Sequence, residues 1–219
     1  DQDAVAARSH QRAAAARAEG RFSAEMAPVT VPQRRGEPVI VDADEGIRPD
    51  TTLETLAGLR PAFAKGGSIT AGNASQISDG AAVVILTTRD RAEREGWTVM
   101  AALGANGQVA GPDNSLHEQP AAAIERALAK DGIAVSDVDL IEINEAFGSV
   151  VAASERRLGV SSDIVNVDGG GIALGHPIGA SGARLVVHLA HELVRRGAGT
   201  AVAGLCGGGG QGEALILTR

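Results

Sequence analysis

Three polar residues are candidates for chemistry because glycine crowds them or because they close an apolar run. His176 lies in GGGIALGHPIGASGAR, Gly169 to Arg184; Cys206, the only cysteine, opens CGGGGQG; Asn144 begins NEAF. An imidazole exchanges protons near neutral pH, a thiol serves as nucleophile or acid/base, and a carboxamide orients a partner or a water. Glycine lets a backbone approach a bulky ligand and present N–H donors, at an entropic cost that packing alone seldom justifies. The combination points to proton transfer beside oxyanion-stabilising loops. Each residue also has a plainer reading: a hydrogen-bonded loop histidine, a buried inert thiol, and a helix cap at Asn144. Four glycines after Cys206 favour backbone donors over burial.

The elements that must position these residues follow from periodicity. Asp163 to Val167 reads as a strand and Ala183 to Arg196 as a helix ended by Gly197, so His176 falls on a strand-to-helix connection, where open α/β sheets place their sites. Leu140 to Ile143 reads as the strand before Asn144, and Ser149 to Leu158 as the helix after it, ended by Gly159. Upstream, Thr98 to Gly104 reads as a strand, and Pro120 starts a helix over Ala121 to Lys130 that Gly132 ends. Asp3 to Glu19 is an alanine-rich helix without a cap, stopped by Gly20. From Arg21 to Lys65, prolines 28, 32, 38, 49 and 61 punctuate a segment with strand-like pieces at Val29 to Val31 and Pro38 to Val41.

Composition narrows the function classes. A length of 219 residues with 44% apolar content suits a globular α/β protein. A net charge of -7, with three Phe, one Trp and no Tyr, argues against nucleic acid. One cysteine suits a reducing compartment and the cytoplasm, and no apolar run reaches the roughly 20 residues that span a bilayer. The Asn73 to Ser75 sequon requires secretion and carries little weight. Gly207, Gly209 and Gly212 formally spell GxGxxG, but a strand follows instead of a helix, so a dinucleotide site fails its context. His188 and His191 in HLAHE have no third ligand in view and read as structural; no metal is expected.

Ser68 to Thr88, SITAGNASQISDGAAVVILTT, parallels Gly199 to Arg219, GTAVAGLCGGGGQGEALILTR: strand, glycine-bearing loop, apolar strand. Ala81 to Leu86 is apolar enough for a strand buried on both faces. Two copies of one ending imply two copies of one domain. With AGNAS, SDGAA, NEAF, GGGIALGHPIGASGAR and CGGGGQG in that order, the chain resembles the thiolases over nearly its whole length. The resemblance implies a thiolase fold: an α/β domain with a mixed five-stranded sheet, helices on both faces and the order β-α-β-α-β-α-β-β, with part of a loop domain. Residues 1–67 would be the second part of that loop domain, 68–95 the last strands of an N-terminal half, and 96–219 the C-terminal half.

What the resemblance implies for function is acyl-CoA C-acyltransfer, by Claisen condensation or by thiolysis of a 3-ketoacyl-CoA, with coenzyme A thioesters as substrates and no cofactor. His176 would activate a nucleophilic cysteine and donate to one oxyanion site with a water held by Asn144. Cys206 would be the acid/base for the α-carbon, its pKa tuned toward 7, and the amide of Gly208 would serve a second oxyanion site. Arg48, Phe63, Ala71, Ser75, Ile77, Ala146 and Phe147 match coenzyme A contacts. The family's nucleophilic cysteine belongs to the N-terminal half, so the expected partners are that missing half and further copies in a dimer or tetramer, and the chain alone is expected to be inactive. Leu116 to Pro120 departs from the family's Met-Gly-x-Gly-Pro and leaves the acyl chain open. The rival reading is a binding or assembly module without chemistry.

Overall fold

The computed structural model describes residues 1–219. In chain order it contains α1 (Gln2–Ala18), β1 (Val29–Val31), β2 (Val39–Val41), α2 (Leu53–Ala57), α3 (Arg89–Glu95), β3 (Ala102–Ala110) and α4 (Gln119–Asp131), followed by β4 (Leu140–Ile143), α5 (Gly148–Leu158), α6 (Gly171–Leu174), α7 (Ser181–Arg196), β5 (Thr200–Gly207) and β6 (Gln211–Thr218). Strands β1 and β2 form an exposed antiparallel hairpin; β3-β6-β5-β4 form a mixed sheet in which β4 runs parallel to β5 and the other pairs are antiparallel.

Side-chain alternation gives this sheet two apolar faces. Ala201, Ala203 and Leu217 join Leu140 on one face, while Val202, Ala214 and Ile216 join Ile141 and Ile143 on the other. Helix α7 lays Leu185, Leu189 and Leu193 on the first face, four residues apart and all buried. Each of those leucines contributes about 1.5–3 kcal/mol by leaving water. Helix α4 covers the second face with Ile124, Ala127 and Leu128, and α5 and α1 continue that core through Val150, Val151, Val5 and Ala6. A positive-φ glycine ends α4, α5 and α7 alike: Gly132, Gly159 and Gly197.

Three sequence expectations need correction. The strand expected over Asp163 to Val167 is a single parallel bridge between Val165 and Ile141, so the sheet has four full strands and a one-residue fifth position. Asn166, at φ 48°, turns the chain out of the extended region, and its side-chain amide takes over the pairing. Its Oδ1 accepts from Ile143 N at 2.8 Å and its Nδ2 donates to Ile143 O at 2.9 Å. The strand expected over Thr98 to Gly104 forms at Ala102–Ala110 instead, because pairing with β6 runs from Ala102 opposite Thr218 to Ala110 opposite Gln211. Finally, Ala81 to Leu86 is no strand. No backbone hydrogen bond engages residues 79–87, and Val83, Ile85 and Leu86 are exposed. High apolarity cannot make a strand where no neighbouring strand offers its N–H and C=O groups.

Candidate active site

Strand β4 delivers Asn144 to the end of the sheet, where its backbone N–H donates to Gly204 O on β5 at 2.9 Å. Ile141 and Ile143 point into the α4 side, so Glu142 and, by the same alternation, Asn144 face α7. His176 arrives on the loop between α6 and α7. Its backbone N–H donates to Gln76 O at 3.2 Å, and the Gln76 side chain donates to Gly46 O, Ile172 O and Ala173 O, clamping the loop to the 68–78 segment. Gly175 has φ 101°, and a Cβ there would stand 2.3 Å from Ser78 Oγ, so this close approach requires glycine.

The two side chains meet. Asn144 Nδ2 lies 3.2 Å from His176 Nε2, and Ser181 Oγ lies 2.6 Å from His176 Nδ1. A carboxamide nitrogen only donates, so Nε2 accepts and the ring proton sits on Nδ1, donating to Ser181 Oγ, whose own proton goes to Pro177 O at 3.0 Å. Burial, with the Arg184 guanidinium nearby, holds His176 below the ordinary histidine pKa. It is a neutral imidazole with a fixed tautomer and a lone pair on Nε2. Asn144 is fully buried, and its Oδ1 has no protein partner.

Cys206 sits near the end of β5, half-buried and opposite Gly212 on β6. Because β4 and β5 are parallel with Ile143 opposite Gly204, Asn144 and Cys206 leave the sheet at the same end. Gly208 is exposed in the turn beyond, where Gly209 and Gly210 take φ of 83° and 74°. Burial pushes the Cys206 thiol up, opposite to the expected tuning toward 7, since no cation touches the sulfur.

The expected coenzyme A contacts divide. The backbone N–H of Ser75 donates to Ala146 O at 3.1 Å, Ala74 bridges Phe147, and Phe63 stands edge-on to Phe147 with ring centroids 6.0 Å apart. Phe63, Ser75, Ala146 and Phe147 therefore gather beside NEAF. Ile77 and Ala71 are exposed along the same segment. The backbone N–H of Arg48 donates to His10 Nδ1 at 3.1 Å, and its side chain is exposed.

Several residues that build the site went unnoticed in the sequence. Ser181 closes the motif GHPIGAS five residues after the histidine, and that spacing was the available signal. Glu145, buried, accepts from Ser9 Oγ at 2.6 Å, Asn166 Nδ2 at 2.9 Å and Ile172 N at 3.0 Å, tying α1, the 166 turn and α6 to NEAF. No periodicity announces such an anchor. HLAHE also has more ligands within reach than its sequence shows: ligand atoms of buried Asp168, His188 and Glu192 lie within 4.8 Å of one another. No helix is long and apolar enough to cross a membrane.

Known proteins resemble the chain along its whole length. A family model described as thiolase, N-terminal domain, matches residues 1–90, and one described as thiolase, C-terminal domain, matches residues 97–219. A probable acetyl-CoA acetyltransferase of Mycolicibacterium smegmatis is 58% identical over all of this chain and 56% of its own length. The crystal structure of the Bacillus anthracis acetyl-CoA acetyltransferase superposes with a TM-score of 0.94 at 43% identity, covering 99% of this chain and 55% of that one. That of human mitochondrial 3-ketoacyl-CoA thiolase in complex with CoA gives 0.89 at 42%, covering 100% and 54%. The chain spans about half the length of the curated relatives it matches.

Proposed function

The chain belongs to the thiolase family, and from that premise we propose that it supplies the proton-transfer half of an acyl-CoA C-acyltransferase. The reaction is Claisen condensation of two acyl-CoA thioesters or the reverse thiolysis of a 3-ketoacyl-CoA. The observation that carries this reading is the chain of hydrogen bonds from Asn144 through His176 to Ser181. It fixes Nε2 as the unprotonated, accepting nitrogen of the ring, which can take the proton of a thiol that displaces Asn144 Nδ2 from it.

In this mechanism a nucleophilic cysteine, which is not among this chain's residues, gives its proton to His176 Nε2 and attacks the thioester carbon. Cys206 gives its S–H proton to the departing coenzyme A sulfur, which leaves as the thiol; an acyl-enzyme and the Cys206 thiolate remain. Once protonated, Nε2–H becomes a donor to the thioester oxygen, and Asn144 Oδ1, otherwise unpartnered, can hold a water beside it. Cys206 as thiolate removes the α-proton of the second acyl-CoA; the enolate carbon attacks the acyl carbon, and the nucleophile leaves as thiolate and takes its proton back from His176 Nε2. Gly208 N–H supports the second oxyanion. Burial makes Cys206 a stronger base once ionised.

Phe63, Ala71, Ser75, Ile77, Ala146 and Phe147 would line the path of the pantetheine arm, and Arg48 would meet the nucleotide end. The edge-on rings of Phe63 and Phe147 support that path by joining the 61–78 segment to NEAF. Residues 1–67 would then act as loop domain, 68–95 as the last part of an N-terminal half, and 96–219 as the C-terminal half. The exposed β1–β2 hairpin supports assembly with further copies or with the remainder of a longer subunit. The alternative, a non-catalytic assembly module, is favoured by the single cysteine. Thiolysis of acetoacetyl-CoA decides between them: this chain alone should be silent, and the same residues joined to a thiolase N-terminal half should turn over. Silence of the joined subunit with an intact nucleophile would favour the module.

A further inference from the structure

Beneath the site, α7 carries a second histidine into an unusually polar part of the core. His188 and Glu142 are almost completely buried, and so is the Asp168 side chain. His188 Nδ1 bonds to Glu25 at 2.9 Å, which leaves Nε2 facing Asp168 Oδ2 at 3.7 Å and Glu142 Oε1 at 3.9 Å. These three atoms have no hydrogen-bond partner. Each carboxylate is engaged through its other oxygen, Glu142 by Arg184 at 3.0 Å and Asp168 by Arg21.

An imidazole flanked by carboxylates, with its far nitrogen held by a third carboxylate, has the outline of a metal ligand. Charge counting argues for a proton instead. Burial pushes the Glu142 and Asp168 carboxyls up, and Arg184, Arg21 and His188 act against it; with these two ionised beside Glu25 and Glu192, four negative charges face the three positive charges of Arg21, Arg184 and Arg195. The more exposed Glu19 and Arg196 pair with Arg21 and Glu192 and cancel. One proton on His188 closes the balance, and a divalent ion would overshoot it by one. Buried charges persist only when balanced.

We propose that His188 is a buried imidazolium and a positioning residue for the Asn144–His176 pair, with Nδ1–H held by Glu25 and Nε2–H aimed between Glu142 and Asp168. The positioning role rests on the reading of that pair as catalytic. Glu142 is two residues before Asn144 on β4, and Asp168 lies on the loop that leads through α6 to His176. One cation thus holds both segments against α7, whose first residue, Ser181, fixes the His176 ring. Burial and Arg184 act to lower the His188 pKa, but the hydrogen bond to Glu25 and the charges of Glu142 and Glu25 outweigh them and hold it above the ordinary histidine value.

The test is nitrogen-15 NMR of histidine-labelled whole chain, independent of turnover. His188 should carry protons on both nitrogens at neutral pH while His176 carries one, on Nδ1. Glu25→Gln, which opens no cavity, should lower the His188 titration and shift the His176 Nε2 resonance; His188→Gln should shift it further, and His188→Lys should restore it. In the joined subunit, His188→Gln should lower kcat roughly tenfold to hundredfold at unchanged KM, the scale of a misplaced catalytic group. A neutral His188 at neutral pH, or one equivalent of zinc retained by the purified chain, would overturn the imidazolium. A His176 resonance indifferent to Glu25→Gln and His188→Gln would overturn the positioning role.

Discussion

Asn144 Nδ2 stands 3.2 Å from His176 Nε2, across 32 residues of sequence, and this contact decides which ring nitrogen is the unprotonated acceptor. Ser181 enforces the same choice from the other side of the ring. Ser181→Ala should therefore release the tautomer without removing the base. We expect a mixed Nδ1–H and Nε2–H population by nitrogen-15 NMR, and about a tenfold loss of kcat in a complete subunit, within the range for a positioned acid/base. An unchanged tautomer would remove Ser181 from the site.

Glu145 is the anchor most sensitive to truncation. Glu145→Ala would leave the Ser9 hydroxyl, the Asn166 amide and the Ile172 N–H without their acceptor. Each unsatisfied buried donor costs on the order of 1 to 3 kcal/mol. The urea midpoint should fall by an amount equivalent to at least about 2 kcal/mol, whereas an exposed carboxylate such as Glu95 should change it by less than about 0.5 kcal/mol.

How much of this was legible in the sequence depended on whether the neighbours were local. Strand β4, helix α5 and helix α7 follow from apolar spacing and terminal glycines within a few residues of their observed ends. Ala81 to Leu86 has an equally good strand pattern, yet a strand also needs a partner edge. Asn166 replaces a strand by a side-chain amide pairing, which no window of hydropathy can register. In the site, His176 and Cys206 were visible through their glycine context and Asn144 through its place at the end of an apolar run. The raised Cys206 pKa was not, because desolvation depends on what α4 and β6 place around the sulfur. The ligands around His188 come from residues 25, 142, 168 and 192, four segments that only the fold assembles.

His10 is buried and held below the ordinary histidine pKa by desolvation and by Arg48, against a smaller opposing effect of Asp50. A histidine with a depressed folded pKa contributes stability above its unfolded value of about 6.5, and that stability is lost as pH falls through the folded value. His10→Gln cannot titrate. The stability difference between wild type and His10→Gln should therefore shrink as pH falls from about 7.5 to about 5, a window spanning the ordinary histidine pKa. A difference independent of pH in urea unfolding would contradict the assignment.

Cys206 should react slowly with iodoacetamide at neutral pH, because burial raises its pKa and only the thiolate is nucleophilic. The rate should climb through the alkaline range, past the free-cysteine value of about 8.5. Rapid alkylation at pH 7 would show an activating cation that the structure does not place there.

The central claim is that His176 and Cys206 divide the proton transfers between them, and it is tested most directly in a complete subunit by measuring acyl-enzyme formation and condensation separately. Cys206→Ser should still retain a stoichiometric labelled acetyl group from acetyl-CoA while condensation falls by a factor on the order of 10² to 10⁴, the usual worth of a positioned acid/base. His176→Ala should lose both steps. Equal loss of acyl-enzyme in the two variants, or undiminished condensation in Cys206→Ser, would contradict the division of roles.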